Sequence, residues 1–331
     1  MPATATAGRI EANDIDELEQ VVRPWDVILR QMSPGRLHAC MDYITVNGIV
    51  LYREHWSRRI IATGATPPGF FVFAGPLSPK PDIGWCGGKL TPESLAFGRP
   101  SSDIDFATPN GEAHICLLVP EVLLLRYLGA ESAKAMIPNG RFLSCHRGSG
   151  VQMLRLMEHI LDKYFVNREL LAMDRVRQAI EWQLLGGVVE LLLTEAGQSA
   201  CLPQSARYLS VLNAMELCEN SPYSIPVHEL ALAAGVSKRV LELGFREIAR
   251  TTPREFMRWS RLNRARKELL AADRRTSSVT QVASNCGITE LGRFAVNYKR
   301  LFGESPSRTL SRRVIVPARA ISDLLSEVSP Q

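Results

Sequence analysis

The chain has 331 residues, 46% of them hydrophobic, enough for two domains with cores of their own. Its net charge of +5 is unevenly placed: residues 226–313 carry 18 Lys or Arg against eight Asp or Glu, a net of +10, which leaves −5 for the rest. A uniformly solvated charged surface does not produce that asymmetry, whereas a DNA-binding segment attached to an acidic body does.

Residues 1–25 are polar and lack the basic start and apolar core of a signal peptide. From about residue 37 to 149 the pattern is that of short strands, such as 43–52, 60–62, 69–74 and 113–119, separated by turns rich in Gly and Pro. A small antiparallel barrel or sandwich is expected there. Its aromatic residues Trp56, Phe71, Phe73 and Trp85 either line a pocket for a small-molecule effector or simply fill the core. The most apolar run, 115–128 (ICLLVPEVLLLRYL), is too short and too interrupted to span a membrane. Seven cysteines (40, 86, 116, 145, 201, 218 and 286), scattered and odd in number, suit reduced thiols in the cytoplasm.

After Gly150 the period changes to that of helices, over 151–165 and 168–197. Their apolar faces are broad, so this segment either packs on the strands or forms a homodimer contact. Residues 199–206 read as a linker.

The next segment contains one pattern twice. Residues 227–236 (VHELALAAGV) align on 279–288 (VTQVASNCGI) at a shift of 52, matching Leu230 with Val282, Ala231 with Ala283 and Gly235 with Gly287. Beyond the turn the shift is 53: Leu241 meets Phe294, Phe245 meets Tyr298, and Thr252-Pro253 meets Ser305-Pro306. Each copy reads as a short amphipathic helix, a glycine that ends it, a capping Ser237 or Thr289, and a second helix. Leu241, Phe245 and Ile248 face inward in the first copy, and Leu291, Phe294, Tyr298 and Leu301 in the second. This is a duplicated helix-turn-helix, whose second helix enters the major groove of DNA. Between the copies, Pro253 starts a linker helix with an apolar stripe of Phe256, Trp259, Leu262, Ala265 and Leu269.

The stretches RLNRARKELL (261–270), SVTQVASNCGI (278–288) and FAVNYKRLFGESP (294–306) resemble the DNA-binding domain of the AraC/XylS family of bacterial transcription regulators. The resemblance covers about a third of the chain. A narrower likeness, through 292–310, 32–41, 53–60 and the WCGG at 85–88, points to the branch that includes the ethanolamine-utilisation regulator and pseudomonad quorum-sensing and virulence regulators. It implies an α+β domain at 1–198 (β-rich 37–149, helical 150–197), cupin-like, for sensing or dimerisation. An all-α domain at 207–313 then binds double-stranded promoter DNA through two helix-turn-helix motifs, with a tail at 314–331. Base and backbone contacts are expected from Ser237, Lys238, Arg239, Glu242 and Arg246, and from Thr289, Glu290, Arg293, Asn297 and Arg300. Arginine grips guanine and asparagine grips adenine. Gly244, inside the first recognition helix, and Arg250, in place of the usual helix-ending glycine, make the first motif the weaker one.

As such a regulator the chain would act without a cofactor and contact RNA polymerase. A cupin-type metal enzyme fused to a DNA-binding domain is the competing reading. His38, His55, His114 and His146 are isolated in sequence with no H-x-H, and Cys145-His146 lacks a supporting motif, so no metal site and no catalysis are expected.

Overall fold

A computed structural model describes residues 5–78, 82–145, 148–195, 206–221, 223, 225–312 and 319–326. The chain starts with β1 (Thr6–Ala12), α1 (Ile15–Val21) and β2 (Asp26–Gln31), all before the point where strands were expected. β3 (Ala39–Val46) and β4 (Ile49–Trp56) form a hairpin closed by Asn47 and Gly48, at φ 51° and 91°. Positive φ at both positions is what a two-residue turn needs to match strand twist. Then come β5 (Ile60–Ala65), β6 (Phe70–Pro76), β7 (Gly84–Trp85), β8 (Gly88–Lys89), β9 (Ser94–Gly98), β10 (Asp103–Thr108) and β11 (Glu112–Pro120). The helices α2 (Glu121–Leu128) and α3 (Ala130–Met136) precede β12 (Phe142–Ser144).

These strands make a seven-stranded sheet, β1-β3-β4-β11-β6-β9-β12, and a five-stranded sheet, β2-β5-β10-β7-β8. The sheets do not close into a barrel; of the two expected forms, the sandwich is the one observed. Side-chain alternation sorts the larger sheet into two faces. Tyr52 and Trp56 on β4, Val72 and Ala74 on β6, and Cys116 and Leu118 on β11 point toward the smaller sheet. Leu51, Phe71, Phe73, Ile115, Leu117 and Val119 point the other way, against α4 (Ser149–Val166) and α5 (Asp174–Glu195), which a 3₁₀ turn at Arg168–Ala172 separates. A strand covered on both faces reads as an unbroken apolar run, which accounts for ICLLV at 115–119. Pro120 then divides that run, ending β11 where α2 begins.

The expected linker lies outside the described residues except for Ala206, the first residue of α6 (Ala206–Asn220). The remaining helices are α7 (Val227–Ala233), α8 (Lys238–Ile248), α9 (Pro253–Ala271), α10 (Val279–Asn285), α11 (Leu291–Phe302), α12 (Pro306–Ser311) and α13 (Ile321–Ser326). Pro253 occupies the first turn of α9, with Thr252 as its cap.

The two halves of the chain share a buried boundary. The Asn263 amide on α9 exchanges two hydrogen bonds with the backbone of Gln31, accepting from its N–H at 3.0 Å and donating to its carbonyl at 2.9 Å. Arg266, one turn further on, is 1% exposed and reaches Asp16 at 2.5 Å and Glu304 at 2.7 Å. Arg312 pairs with Asp14 and Glu17, and the Tyr208 hydroxyl donates to Asp105. Residues 319–326 are part of this packing: Ile321 and Leu324 are fully buried, and the Arg319 guanidinium lies 5.6 Å from the Tyr43 ring.

Candidate nucleic-acid interface

The two sequence repeats fold into the same hydrogen-bonded turn. After α7, Gly235 (φ 72°) donates to the Leu232 carbonyl and Val236 to that of Ala231, both at 3.0 Å. After α10, Gly287 (φ 68°) donates to Ser284 and Ile288 to Ala283, both at 2.9 Å. This pair of bonds, with a left-handed residue between helix and exit, is the Schellman helix stop. Glycine takes that conformation without the steric penalty of a side chain. Ala231 and Ala283, both buried, sit at the foot of each turn.

In the first copy Ser237 accepts from the Val240 N–H at 3.3 Å and caps α8, as expected. Leu241, Phe245 and Ile248 are buried, while Lys238, Arg239 and Arg246 are exposed and Glu242 partly so. In the second copy the helix begins one residue later than expected. Glu290, not Thr289, occupies the cap position, and it makes no side-chain capping bond. Leu291, the first residue of the helix, is 40% exposed instead of buried in the core. Thr289, Glu290, Arg293 and Arg300 are exposed and Asn297 is partly so, while Phe294, Tyr298 and Leu301 are buried. Arg293 and Glu290 form an exposed ion pair at 2.8 Å.

The two departures expected to weaken the first motif have structural reasons. A Cβ on Gly244 would meet Val211 Cγ2 at 2.6 Å, so glycine is what lets α6 cross α8 closely. Arg250 takes the left-handed conformation itself, at φ 53°. It is held from the other domain, where Arg59 donates to its carbonyl at 2.7 Å and Asp82 lies 3.5 Å from its guanidinium.

Sequence reasoning missed two sets of residues on this surface. Arg254, Arg258 and Arg261 on α9 recur at helical spacing. Arg254 lines a groove with Lys238, Glu242 and Arg246, and Arg258 and Arg261 line another with Arg293 and Asn297. The linker helix thus adds basic side chains to both motifs, and its period alone could have revealed them. The second set is apolar: Leu243 is 39% and Val296 68% exposed on the outward faces of α8 and α11. They stand at equivalent places in the repeat, offset by the same 53 residues that align the two second helices.

The four aromatic residues considered for an effector pocket separate. Trp56 and Trp85 line a cavity between the sheets, together with Trp25, Tyr52 and Phe106. Phe71 and Phe73 do not reach it. On β6 they alternate with Val72 and Ala74, which face the cavity side, so both phenylalanines pack with Phe97 against the helical layer.

Residues 230–312 match the family model described as a helix-turn-helix domain. A probable thc operon regulatory protein of Rhodococcus erythropolis is 42% identical over 86 residues, which are 26% of this chain and 26% of the relative. XylDLEGF operon transcriptional activator 1 of Pseudomonas putida is 32% identical over 142 residues, 43% of this chain and 42% of the relative. The chain thus spans less than half the length of these curated relatives. A transcriptional regulator structure from Chromobacterium violaceum, described as AraC-type, is 28% identical, aligned over 32% of this chain and 92% of that one, with a TM-score of 0.30. Among the described residues no helix is long and apolar enough to cross a membrane. The duplicated helix-turn-helix domain of the chain is of the AraC/XylS type found in transcription regulators.

Proposed function

We propose that the protein is a cytoplasmic, sequence-specific transcription regulator that binds promoter DNA as a homodimer and answers to a small molecule through its first domain. The observation that carries this reading is the repeated, identically stopped helix pair, which presents two polar, mostly cationic helix faces on a segment of net charge +10. Arg239, Arg246, Arg293 and Asn297 are of the types that read base edges, and Arg254 and Arg258 suit phosphate contact. Leu243 and Val296 offer apolar contact for thymine methyl groups. The P. putida relative is named as an activator, which favours activation through RNA polymerase. Trp182, Leu193 and Met173, exposed on or beside α5, support pairing through this layer. No catalytic role is proposed.

Genome-wide chromatin immunoprecipitation would supply the operator, and the genes beside it would separate a metabolic circuit of the ethanolamine kind from quorum-sensing or virulence control. Fluorescence anisotropy on that operator then tests the reading. Arg293→Ala should cost about 1–3 kcal/mol of binding, concentrated at one base pair. An equal loss on operator and random DNA would assign Arg293 to phosphate. Mass photometry of the full chain tests pairing, and a monomer at micromolar concentration would contradict it.

A further inference from the structure

The cavity between the sheets is apolar apart from one cluster. Glu54 and His114 stand directly opposite each other on β4 and β11, with Nε2 3.0 Å from Oε2. The Trp56 ring meets the His114 ring edge-on at 5.3 Å. All three side chains are more than nine-tenths buried, yet Glu54 Oε1, His114 Nδ1 and Trp56 Nε1 have no hydrogen-bond partner. The neighbouring indoles differ. Trp25 donates to the Tyr52 hydroxyl at 3.1 Å, and Trp85 donates to the Arg141 carbonyl at 2.9 Å. Buried polar atoms are satisfied almost everywhere in folded proteins, so three unpaired ones on a single cavity mark a place for a polar group from outside the chain.

The character of that group follows from the donors and acceptors. Beyond their mutual contact Glu54 and His114 leave an acceptor, Glu54 Oε1, beside a donor, Trp56 Nε1–H, and His114 Nδ1, which accepts in the neutral ring and donates in the protonated one. A hydroxyl both gives a hydrogen, to Glu54, and receives one, from Trp56, and its remaining lone pair lies open to His114. A carboxylate has no hydrogen for Glu54, and an ammonium has no lone pair for the Trp56 N–H. The rest of the wall, Trp25, Trp85, Phe106 and aliphatic side chains, suits a flat apolar body.

We propose that this cavity binds a small, uncharged aromatic alcohol, its hydroxyl seated on Glu54, His114 and Trp56; the assignment rests on the reading of the first domain as a sensor. The cavity encloses about 50 Å³, room for the hydroxyl and a few carbon atoms, so a ring enters only if the wall yields. Part of that wall, Val22, Trp25, Val27 and Leu29, belongs to the segment running from α1 through β2. The same segment carries Asp16 and Gln31, which hold Arg266 and Asn263 on the linker helix. Occupancy is thereby transmitted to the helix that spaces the two DNA-reading motifs.

The test titrates the full-length protein with phenol, benzyl alcohol, benzoate, benzylamine and toluene, reading tryptophan fluorescence and the thermal midpoint. Phenol or benzyl alcohol should give saturable quenching and a raised midpoint, at least tenfold tighter than the charged analogues or toluene. Trp56→Phe and Glu54→Gln should each weaken that binding about tenfold. No saturable binding of either alcohol would mean that the three atoms hold only water and would overturn the proposal, as would equal binding of benzoate. Because Trp56→Phe keeps an apolar ring in place, full affinity in that folded variant also contradicts it. Operator binding without ligand is measured alongside. If it is present while the alcohols fail, the ligand assignment alone falls; if it is absent, the regulator reading falls.

Discussion

Replacing Arg266 by methionine probes the boundary between the domains most sharply. Its guanidinium is 1% exposed, bonded to Asp16 at 2.5 Å and Glu304 at 2.7 Å, with Asp14 at 3.7 Å and the Phe302 ring centroid at 4.9 Å. Burial pulls its pKa down, but the attraction of Asp16 and Asp14 overcomes this and leaves it raised. Methionine keeps most of the apolar stem and removes the charge, leaving the carboxylates without their buried partner. Breaking a buried ion pair from one side costs about 3–5 kcal/mol. We expect a loss of that size in equilibrium urea unfolding followed by circular dichroism at pH 7. Adding Asp16→Leu to Arg266→Met should return part of it, because removing both charges is far less costly than removing one. The deficit of the single variant should also shrink on acidification. Burial raises the Asp16 pKa, so the folded state favours its protonated form, and the stability that form confers is lost as pH rises through the folded pKa. A single-variant loss below about 1 kcal/mol, or a double variant no better than the single, would refute the view that these charges hold the domains together.

Three further outcomes are expected. Gly244→Ala and Gly186→Ala make the same change inside two helices. At Gly186 a Cβ meets nothing within 4 Å, while at Gly244 it meets the buried Val211 at 2.6 Å. The Gly244 variant should therefore be less stable than the Gly186 variant by about 1–3 kcal/mol in the same assay, and equal values would refute the close crossing of α6 and α8. Burial pushes the Asp42 pKa up, but hydrogen bonds from Arg9 and Arg53 overcome it and hold it below 3.8. Its contribution to stability is present above that value and lost as pH falls through the lower folded pKa, so Asp42→Asn should flatten the acid limb of a pH–stability curve. Val296→Ser should leave the unfolding midpoint unchanged and weaken binding only where the operator carries thymine; a uniform effect on all sequences would remove Val296 from base reading.

The DNA-binding half was legible in sequence because its determinants are local and written twice. Gly235 and Gly287, the small Ala231 and Ala283, and the apolar steps that follow lie within a couple of helical turns of one another. What escaped was set by distant partners. Alternation shows that Phe71 and Phe73 share a face of β6, but which face meets the other sheet depends on pairing with β11 and β9. β1 bonds to β3 between positions from Ala12 and Ala39 to Thr6 and Thr45, far apart in the chain, and α1 has only seven residues, too few for a period to stand out. Arg266 looks like any other arginine of a basic helix; its burial depends on Asp16, 250 positions away. Gly244, taken alone, reads as a weak point in a helix, and only the approach of Val211 gives it a reason.

The central claim is that two equivalent helices, α8 and α11, read DNA in successive turns of the major groove. The most direct measurement compares wild type, Arg239→Ala and Arg293→Ala across a set of operators, each changed at one base pair, by fluorescence anisotropy at fixed salt. Each variant should lose discrimination at its own position, and the two positions should lie about one helical turn, roughly 10 base pairs, apart. If both variants lose affinity evenly across every operator, or lose discrimination at the same base pair, the helices do not read DNA as a pair.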